Sequence, residues 1–177
     1  MPIRPLAKPR EAAPRFLNSE QRLSAQGLHV QPATPKESEE ARELFRAELS
    51  SEPTETNPTD GRDFLVVADG SSVIGAIAGG PQGGRWGVGL QIHSVAVTPD
   101  RQGAHVGTAL ISAMLNRYET LSFVWGGCNV ENIGFYRRLG FLVADVGEPM
   151  PLPNGDIMTN KNKDYPHFFY LYPPHRR

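Results

Sequence analysis

Residues 92–110 read IHSVAVTPDRQGAHVGTAL, and the pattern of this stretch changes twice along its length. Apolar residues alternate with others from Ile92 to Val97, which is typical of a strand with one buried face. The chain then turns at Thr98-Pro99-Asp100, and from Val106 the apolar residues recur at helical spacing. The stretch therefore predicts a strand, a glycine-bearing turn and a helix.

The turn between this strand and this helix has the chemistry of an anion site. The first backbone N–H groups of a helix have no partner within the helix, and the helix dipole adds positive potential there. Gly103 and Gly107 remove side chains where a ligand could approach, and Thr108 adds a hydroxyl. The spacing matches neither a Walker A loop nor the G-x-G-x-x-G dinucleotide fingerprint. On these residues alone, a phosphate-binding loop and a plain turn both remain open.

Composition narrows the class of protein. The 177 residues suit one domain, and 39% hydrophobic with 21% charged residues is enough for a globular core. A net charge of -1 provides no overall field for nucleic acid or an anionic membrane. One cysteine, Cys128, excludes an internal disulfide and fits a reducing compartment. No membrane span or secretory signal is recognisable, so we expect a soluble cytoplasmic domain.

The chain is organised as a proline-rich beginning and an ordered remainder. Residues 1–27 scatter prolines among basic side chains, and we interpret them as an extended basic arm that ends in a short helical turn after Asn18. The arm is a floppy tail, a segment that packs on a partner subunit, or a dock for nucleic acid or the ribosome. Residues 28–177 are interpreted as one domain.

From Leu28 the pattern alternates strands and helices. Thr34-Pro35-Lys36-Glu37 predicts a helix start with a threonine N-cap, and Ala41, Leu44, Phe45 and Leu49 give that helix one buried face. The other predicted elements are a short strand at LHVQPA, a polar loop at SSEPTETNPTDGRD, a hairpin of FLVVA and VIGAIAG around Asp69-Gly70-Ser71-Ser72, a second loop at GGPQGGRWGVG that we interpret as a flexible hairpin, a helix over 106–118, a buried strand at LSFVWGGCN, a short helix ENIGFYRRLG closed by Gly140 with Phe141 folded back onto it, and a last strand HFFYLY. This order predicts a mixed α/β sheet.

Two motifs in the second half of the chain are distinctive. VAVTPDRQGAHVGTAL fits Q/R-x-x-G-x-G/A, with Gln102 in the first position and Gly107 in the last. NVENIGFYRRLGF fits N-x-x-A-I-x-F-Y-x-x-x-G-F at nearly every position. Together they resemble the GNAT superfamily of acetyl-CoA-dependent acyltransferases, in which the first motif binds pyrophosphate. His105 stands where that family commonly has a glycine, and Asn132 stands where it usually has alanine.

The resemblance implies a fold and a cofactor. The fold is a mixed, mostly antiparallel twisted sheet with a central splayed parallel pair and flanking helices. The co-substrate is acetyl-CoA, with no metal; its pyrophosphate rests on N–H groups of the turn, and its pantetheine arm bonds the strand end as an added strand would. The cofactor-binding residues implied are Val95, Ala96, Val97, Gln102, Gly103, Ala104, His105, Val106, Gly107, Thr108 and Asn129. A backbone N–H at the splay polarises the thioester carbonyl.

The catalytic residues are predicted with plainer alternatives beside them. The resemblance implies Tyr136 as the acid that protonates the departing sulfur, although such a tyrosine is usually core. His93 is a candidate base or acceptor-site residue, against a histidine satisfied elsewhere. Asn129 could be only a strand-end turn former. We reject Cys128 as a nucleophile, because a free cysteine on an apolar strand is normally buried and inert.

The function predicted is an N-acetyltransferase that moves acetyl from acetyl-CoA directly to a primary amine of a small molecule or a protein. Glu48, Glu52 and Glu55 lie in the loop region that borders the acceptor cleft in members of the family. They could attract a cationic amine, although a solvated loop would look the same. The alternative is a non-catalytic acyl-CoA-binding regulatory module. We expect no membrane partner and disfavour nucleic acid, and pairing into a homodimer through the last strand or the arm stays open.

Overall fold

The computed structural model describes residues 14–49, 63–84, 87–118, 121 and 123–172. In chain order its elements are α1 (Pro14–Ser24), β1 (Val30–Pro32), α2 (Pro35–Glu48), β2 (Asp63–Asp69), β3 (Ser72–Gly84), β4 (Gly87–Val97), a 3-10 turn (Pro99–Arg101), α3 (Val106–Arg117), β5 (Val124–Cys128), a 3-10 turn (Val130–Asn132), α4 (Ile133–Arg138), β6 (Leu142–Val143), β7 (Met150–Pro151), β8 (Ile157–Met158) and β9 (His167–Leu171). None of the helices in these ranges has the length and apolar character that crossing a membrane requires.

A single seven-stranded sheet confirms the predicted mixed α/β fold. Its strand order is β1-β2-β3-β4-β5-β9-β6, while β7 and β8 pair separately. β4 and β5 are the parallel pair, and β1–β2, β2–β3, β5–β9 and β6–β9 are antiparallel. The chain forms two compact units: an N-terminal unit of Arg15–Gly80 and Ile92–Tyr118, and a C-terminal unit that includes Pro81–Gln91 and Glu119–Arg177.

Helix α2 begins as its sequence predicts. The Thr34 hydroxyl accepts from the Glu37 N–H at 3.3 Å, and the Glu37 carboxylate accepts from the Thr34 N–H at 2.8 Å. This second bond holds the pKa of Glu37 below its ordinary value of 4.5. With a capping box at its start and a proline in its first turn, the helix packs Ala41, Leu44 and Phe45 into the core.

The hairpin of β2 and β3 is confirmed, and it is longer than predicted. The strands pair around a turn in which Gly70 has a φ of +63°. β3 continues to Gly84 and β4, its neighbour in the sheet, begins at Gly87, so most of GGPQGGRWGVG is strand, as in a hairpin, and less of it is loop than predicted. Adjacent strands supply the backbone hydrogen bonds that offset the weak strand propensity of glycine. The predicted polar loop over 50–62 and the residues 85 and 86 lie outside the described part.

Helix α3 lies very close to β3 within the N-terminal unit. A Cβ atom on residue 75 would be 2.4 Å from Cγ1 of Val106 and 3.2 Å from Cδ1 of Leu110. Val106, Leu110 and Met114 are buried, which confirms the predicted buried face of this helix. Gly75 therefore sets the distance between helix and sheet.

The region before residue 28 differs from the extended arm that its prolines predict. Residues from Pro14 to Ser24 form helix α1, which starts before Asn18. Leu23 is 1% exposed, and its carbonyl accepts from the Leu28 N–H at 3.0 Å. Burial of an apolar side chain fixes this helix, which proline content alone does not reveal. Residues 1–13 lie outside the described part.

The C-terminal unit contains the last strand in an interior position. β9 pairs with β5 along its whole length and with β6 at Phe169 and Tyr170. The Ala144 N–H donates to the Phe168 carbonyl at 2.8 Å beyond that pairing. Because both edges of β9 are occupied, pairing of two copies through this strand is not available.

We expect Gly75→Ala to destabilise the protein by about 1–3 kcal/mol, because the new methyl group overlaps a buried, stiff valine and forces helix α3 outward. Urea unfolding of the two purified proteins measures this difference. Gly83→Ala is the matched control in the same strand: its nearest neighbour would be Cγ2 of Val88 at 3.8 Å. It should change the unfolding free energy by less than about 0.5 kcal/mol. Equal effects of the two substitutions would contradict the close approach.

Candidate functional site

The turn after β4 leaves the start of α3 open. The Thr98 N–H donates to the Ile74 carbonyl at 2.9 Å, which fixes the end of the strand. Gly103 has a φ of +79° and His105 a φ of +68°, both in the left-handed region. His105 is the N-cap, and its side chain accepts no hydrogen bond from the first turn. The first N–H groups of α3 are therefore without a side-chain cap and fit an anion.

The position of His105 explains a departure noted in the sequence. A left-handed backbone favours glycine, and glycine is the residue that the family named in the sequence analysis commonly has at the position of His105. Histidine is among the few other residues that are enriched in this region, so the turn keeps its path at a small cost in strain. The ring of His105 is turned toward α1, where Nη1 of Arg22 lies 2.8 Å from Nε2.

Gln102 does not point its amide at the helix start. Its Nε2 donates to the Val97 carbonyl at 3.2 Å, so the side chain braces the end of β4. The neighbouring Arg101 pairs with Asp69. The phosphate contact of Gln102 stays a prediction, and one donor of its amide is bonded within the protein.

The end of β4 divides its side chains between two environments. Ala96 is 5% exposed and packs in the core with residues of α2. His93, Val95 and Val97 alternate with the buried positions and are half-buried. Among the described residues, nothing bonds the buried hydroxyl oxygen of Thr98, which follows directly.

Tyr136 is held by aromatic rings on several sides. It is 7% exposed and stacks on Phe169 with ring centroids 3.6 Å apart and planes at 9°. Phe135 and Phe141 contact it at steep angles, with centroids at 5.1 and 5.8 Å. Burial raises the pKa of Tyr136 above its ordinary value of 10, and no hydrogen bond to its hydroxyl from a described residue contributes. The hydroxyl therefore stays protonated at neutral pH.

The turn at the end of α4 positions Tyr136. Gly140 has a φ of +89°, and its N–H donates to the Arg137 carbonyl at 3.0 Å. The Phe141 N–H donates to the Tyr136 carbonyl at 3.1 Å, which completes a Schellman motif. Phe141 then packs on Tyr136, as the sequence predicts.

Asn129 and Cys128 lie at the end of β5. The side-chain oxygen of Asn129 accepts from the Asn132 N–H at 3.2 Å and from its Nδ2 at 2.8 Å, so it caps the 3-10 turn before α4. Cys128 is 2% exposed, and burial raises the pKa of its thiol to about 11. Such a thiol is a poor nucleophile at neutral pH.

The structure therefore groups the predicted site residues within each unit. The N-terminal unit brings together His93, the end of β4 and the turn from Gln102 to Thr108, and it adds Arg22, which sequence reasoning missed. The C-terminal unit holds Asn129 and Tyr136. Glu48 ends α2, whereas the predicted Glu52 and Glu55 lie outside the described residues. In the ranges that the structure describes, no group of His, Cys, Asp or Glu side chains could hold a metal ion.

The sequence and the fold both match known acetyltransferases. Residues 60–143 match the family model described as an acetyltransferase (GNAT) domain. No curated protein matches the sequence. Ard1 from Thermoplasma volcanium is similar in fold, with a TM-score of 0.60, 21% identity, and coverage of 82% of this chain and 97% of that chain.

Two further solved structures share the fold. An aminoglycoside 6'-N-acetyltransferase complexed with coenzyme A has a TM-score of 0.59 at 15% identity and covers 84% of this chain and 98% of its own. Naa50 of Arabidopsis thaliana, in complex with the bisubstrate analogue CoA-Ac-MVNAL, has a TM-score of 0.61 at 13% identity, covering 81% and 95%.

Burial of Cys128 predicts an unreactive thiol. At about pH 8, the folded protein should react with a disulfide reagent more than a hundredfold slower than free cysteine, because both access and the thiolate fraction are low. A spectrophotometric thiol assay measures this rate, and the same protein unfolded in guanidinium is the control that should react completely. A native rate within tenfold of free cysteine would contradict the burial.

Proposed function

We propose that the chain is a member of the GNAT superfamily of acetyltransferases and that it transfers acetyl directly from acetyl-CoA to a primary amine. The observation that carries the proposal is the start of α3. There a strand ends at Val97, the chain turns through left-handed residues, and a twelve-residue helix begins with no side-chain cap. Backbone N–H groups in this arrangement bind phosphate without a lysine.

The position of the N-terminus of α3 indicates which residues would hold acetyl-CoA. The N–H groups from Gly103 to Thr108 would bind the diphosphate, and backbone groups of β4 at Val95, Ala96 and Val97 would bond the pantetheine amides. Gln102 would act by bracing the strand end, since its amide is already bonded to the Val97 carbonyl. Asn129 would contact the cofactor while it caps the turn before α4.

The transfer needs an electrophile, an acid and a base. Bound acetyl-CoA supplies the thioester; the amine nitrogen forms the new C–N bond while the C–S bond breaks. A backbone N–H at the end of β4 would stabilise the developing oxyanion. Tyr136 would protonate the departing sulfur, and its raised pKa means that the hydroxyl carries its proton at neutral pH. The proton that the amine loses restores the tyrosine.

His93 is proposed as the base or as part of the acceptor site. It is half-buried and lies two positions before Val95 on the same side of β4. An imidazole there can take a proton from an ammonium group near neutral pH. Glu48 would attract that cationic group from the end of α2. A small molecule and a protein remain the two acceptor classes.

Binding and turnover test the proposal separately. Titration calorimetry should detect acetyl-CoA binding at micromolar to low millimolar concentrations, and a thiol-release assay on a panel of primary amines should detect turnover. Binding without turnover on any amine would favour a regulatory acyl-CoA-binding module. Absence of binding at millimolar acetyl-CoA would refute the proposed function.

Tyr136→Phe should lower kcat by about a hundredfold or more while leaving the Kd for acetyl-CoA within about threefold, because only the proton donor is lost. Tyr170→Phe is the matched control, since it removes a half-buried tyrosine hydroxyl from β9 at a position without a proposed role. Its kcat should stay near that of the unchanged protein. A kcat for Tyr136→Phe within threefold of that value would exclude this residue as the acid.

The pH profile of kcat gives a second check on Tyr136. The acid must be protonated to act, and its pKa lies above 10, so its protonated fraction is nearly complete below that pH. We therefore expect no alkaline fall in kcat that belongs to Tyr136 up to about pH 9. The profile should be measured with an amine of low pKa. An alkaline limb below pH 9 that disappears in Tyr136→Phe would contradict the raised pKa of this tyrosine.

A further inference from the structure

Arg22 is bound to the turn that precedes α3. Its Nη1 lies 2.8 Å from Nε2 of His105. An arginine side chain has donors only, so Nε2 accepts the hydrogen bond and the neutral imidazole carries its proton on Nδ1. Since His105 is the N-cap of α3, Arg22 is one imidazole ring away from the uncapped first turn of that helix.

The charge of Arg22 is not neutralised by its partner. Arg101, the other cation of this turn, pairs with Asp69 and lies 3.7 Å from Asp100. In the described part of the chain, no carboxylate forms an ion pair with Arg22, and its imidazole partner is uncharged. Among the described residues, Arg22 is therefore a cation beside this turn that no carboxylate neutralises.

The backbone that carries Arg22 is fixed. The following residue, Leu23, is 1% exposed, and the carbonyl of Arg22 accepts from Nε2 of Gln26 at 3.1 Å. At the other end, the left-handed backbone of His105 directs its ring toward α1. Within the described ranges Arg22 forms one side-chain hydrogen bond, from Nη1 to His105, and its Nε and Nη2 donors have the geometry to bind a phosphate in a bidentate manner.

We propose that Arg22 binds the diphosphate of acetyl-CoA and that His105 is the positioning residue that holds the guanidinium toward it. This inference rests on the proposed function, and it gives helix α1 a role in cofactor binding. The side chain of His105, which costs strain in a left-handed backbone, thereby orients a cation that a glycine could not orient.

Titration calorimetry of Arg22→Gln with CoA and with dephospho-CoA, which lacks the 3'-phosphate, tests the contact. Both ligands should bind about tenfold more weakly, the loss expected for a charge-assisted hydrogen bond. Arg46→Gln is the matched control: Arg46 is an exposed arginine in the last turn of α2, 3.9 Å from Glu39. Its affinities for both ligands should be unchanged.

The positioning role of His105 is tested by combining variants. Asparagine tolerates a left-handed backbone, but its shorter side chain does not reach Arg22 as the imidazole does. His105→Asn should weaken CoA binding in the unchanged protein and have no effect in the Arg22→Gln variant. An equal effect in both backgrounds would show that His105 does not act through Arg22, and would overturn its assignment.

The outcomes separate this inference from the proposed function. If the unchanged protein does not bind CoA, the proposed function itself fails. If the unchanged protein binds CoA and Arg22→Gln binds it equally well, only the role of Arg22 fails. A loss that appears with CoA but not with dephospho-CoA would overturn the assignment to the diphosphate.

Discussion

Helix α3 can lie against strand β3 because residue 75 has no side chain. The space that a Cβ would take is filled by Val106, the first residue of the helix, so the helix start is fixed relative to the strand. The Thr98 N–H, bonded to the Ile74 carbonyl, fixes the end of β4 at the neighbouring position on β3. The intervening residues must connect two fixed points, and left-handed backbone at Gly103 and His105 lets them do so. The shape of the turn that we propose to bind the diphosphate thus follows from the packing beneath it.

The electrostatic potential near each site depends more on which charged side chains form ion pairs than on the near-zero net charge of the protein. Arg101 is matched with Asp69, and Arg117 with Asp63, whereas Arg22 is bound to a neutral ring. As far as the described residues show, an anion at the start of α3 would therefore meet the charge of Arg22 as well as the helix dipole. In the C-terminal unit, the stacked rings around Tyr136 act in the opposite way, since they exclude water and keep its hydroxyl neutral.

Features encoded by residues close in sequence could be predicted. The capping box of Thr34 and Glu37, the hairpin turn at Gly70 and the helix end at Gly140 each depend on bonds that span a few positions, so residue type was sufficient. The contact of Arg22 with His105 joins residues 83 positions apart, and no local pattern indicates it. Leu23 and Leu28, whose backbones are hydrogen-bonded to each other, are apolar residues that could have indicated that α1 packs on the domain. The prolines nearby favour an extended arm instead. Residue type underestimates the strand content of glycine-rich β3 and β4, because neighbouring strands override a weak propensity.

The same distinction applies to the candidate site. Motif spacing located the turn and Tyr136, yet it could not reveal that the Gln102 amide is used by the Val97 carbonyl. Nor could motif spacing show that the side-chain oxygen of Asn129 caps the 3-10 turn before α4. Spacing identifies which backbone path a segment takes, while the direction of each polar side chain depends on partners brought in by tertiary packing.

The interior place of β9 has a consequence for biosynthesis. β5 and β6 are made earlier on the ribosome, but their shared neighbour is the strand formed by residues 167–171. This half of the sheet consequently cannot close during translation until those residues have emerged from the exit tunnel. A nascent chain interrupted before His167 would expose the facing edges of two strands, which is the kind of surface that chaperones recognise and that initiates aggregation.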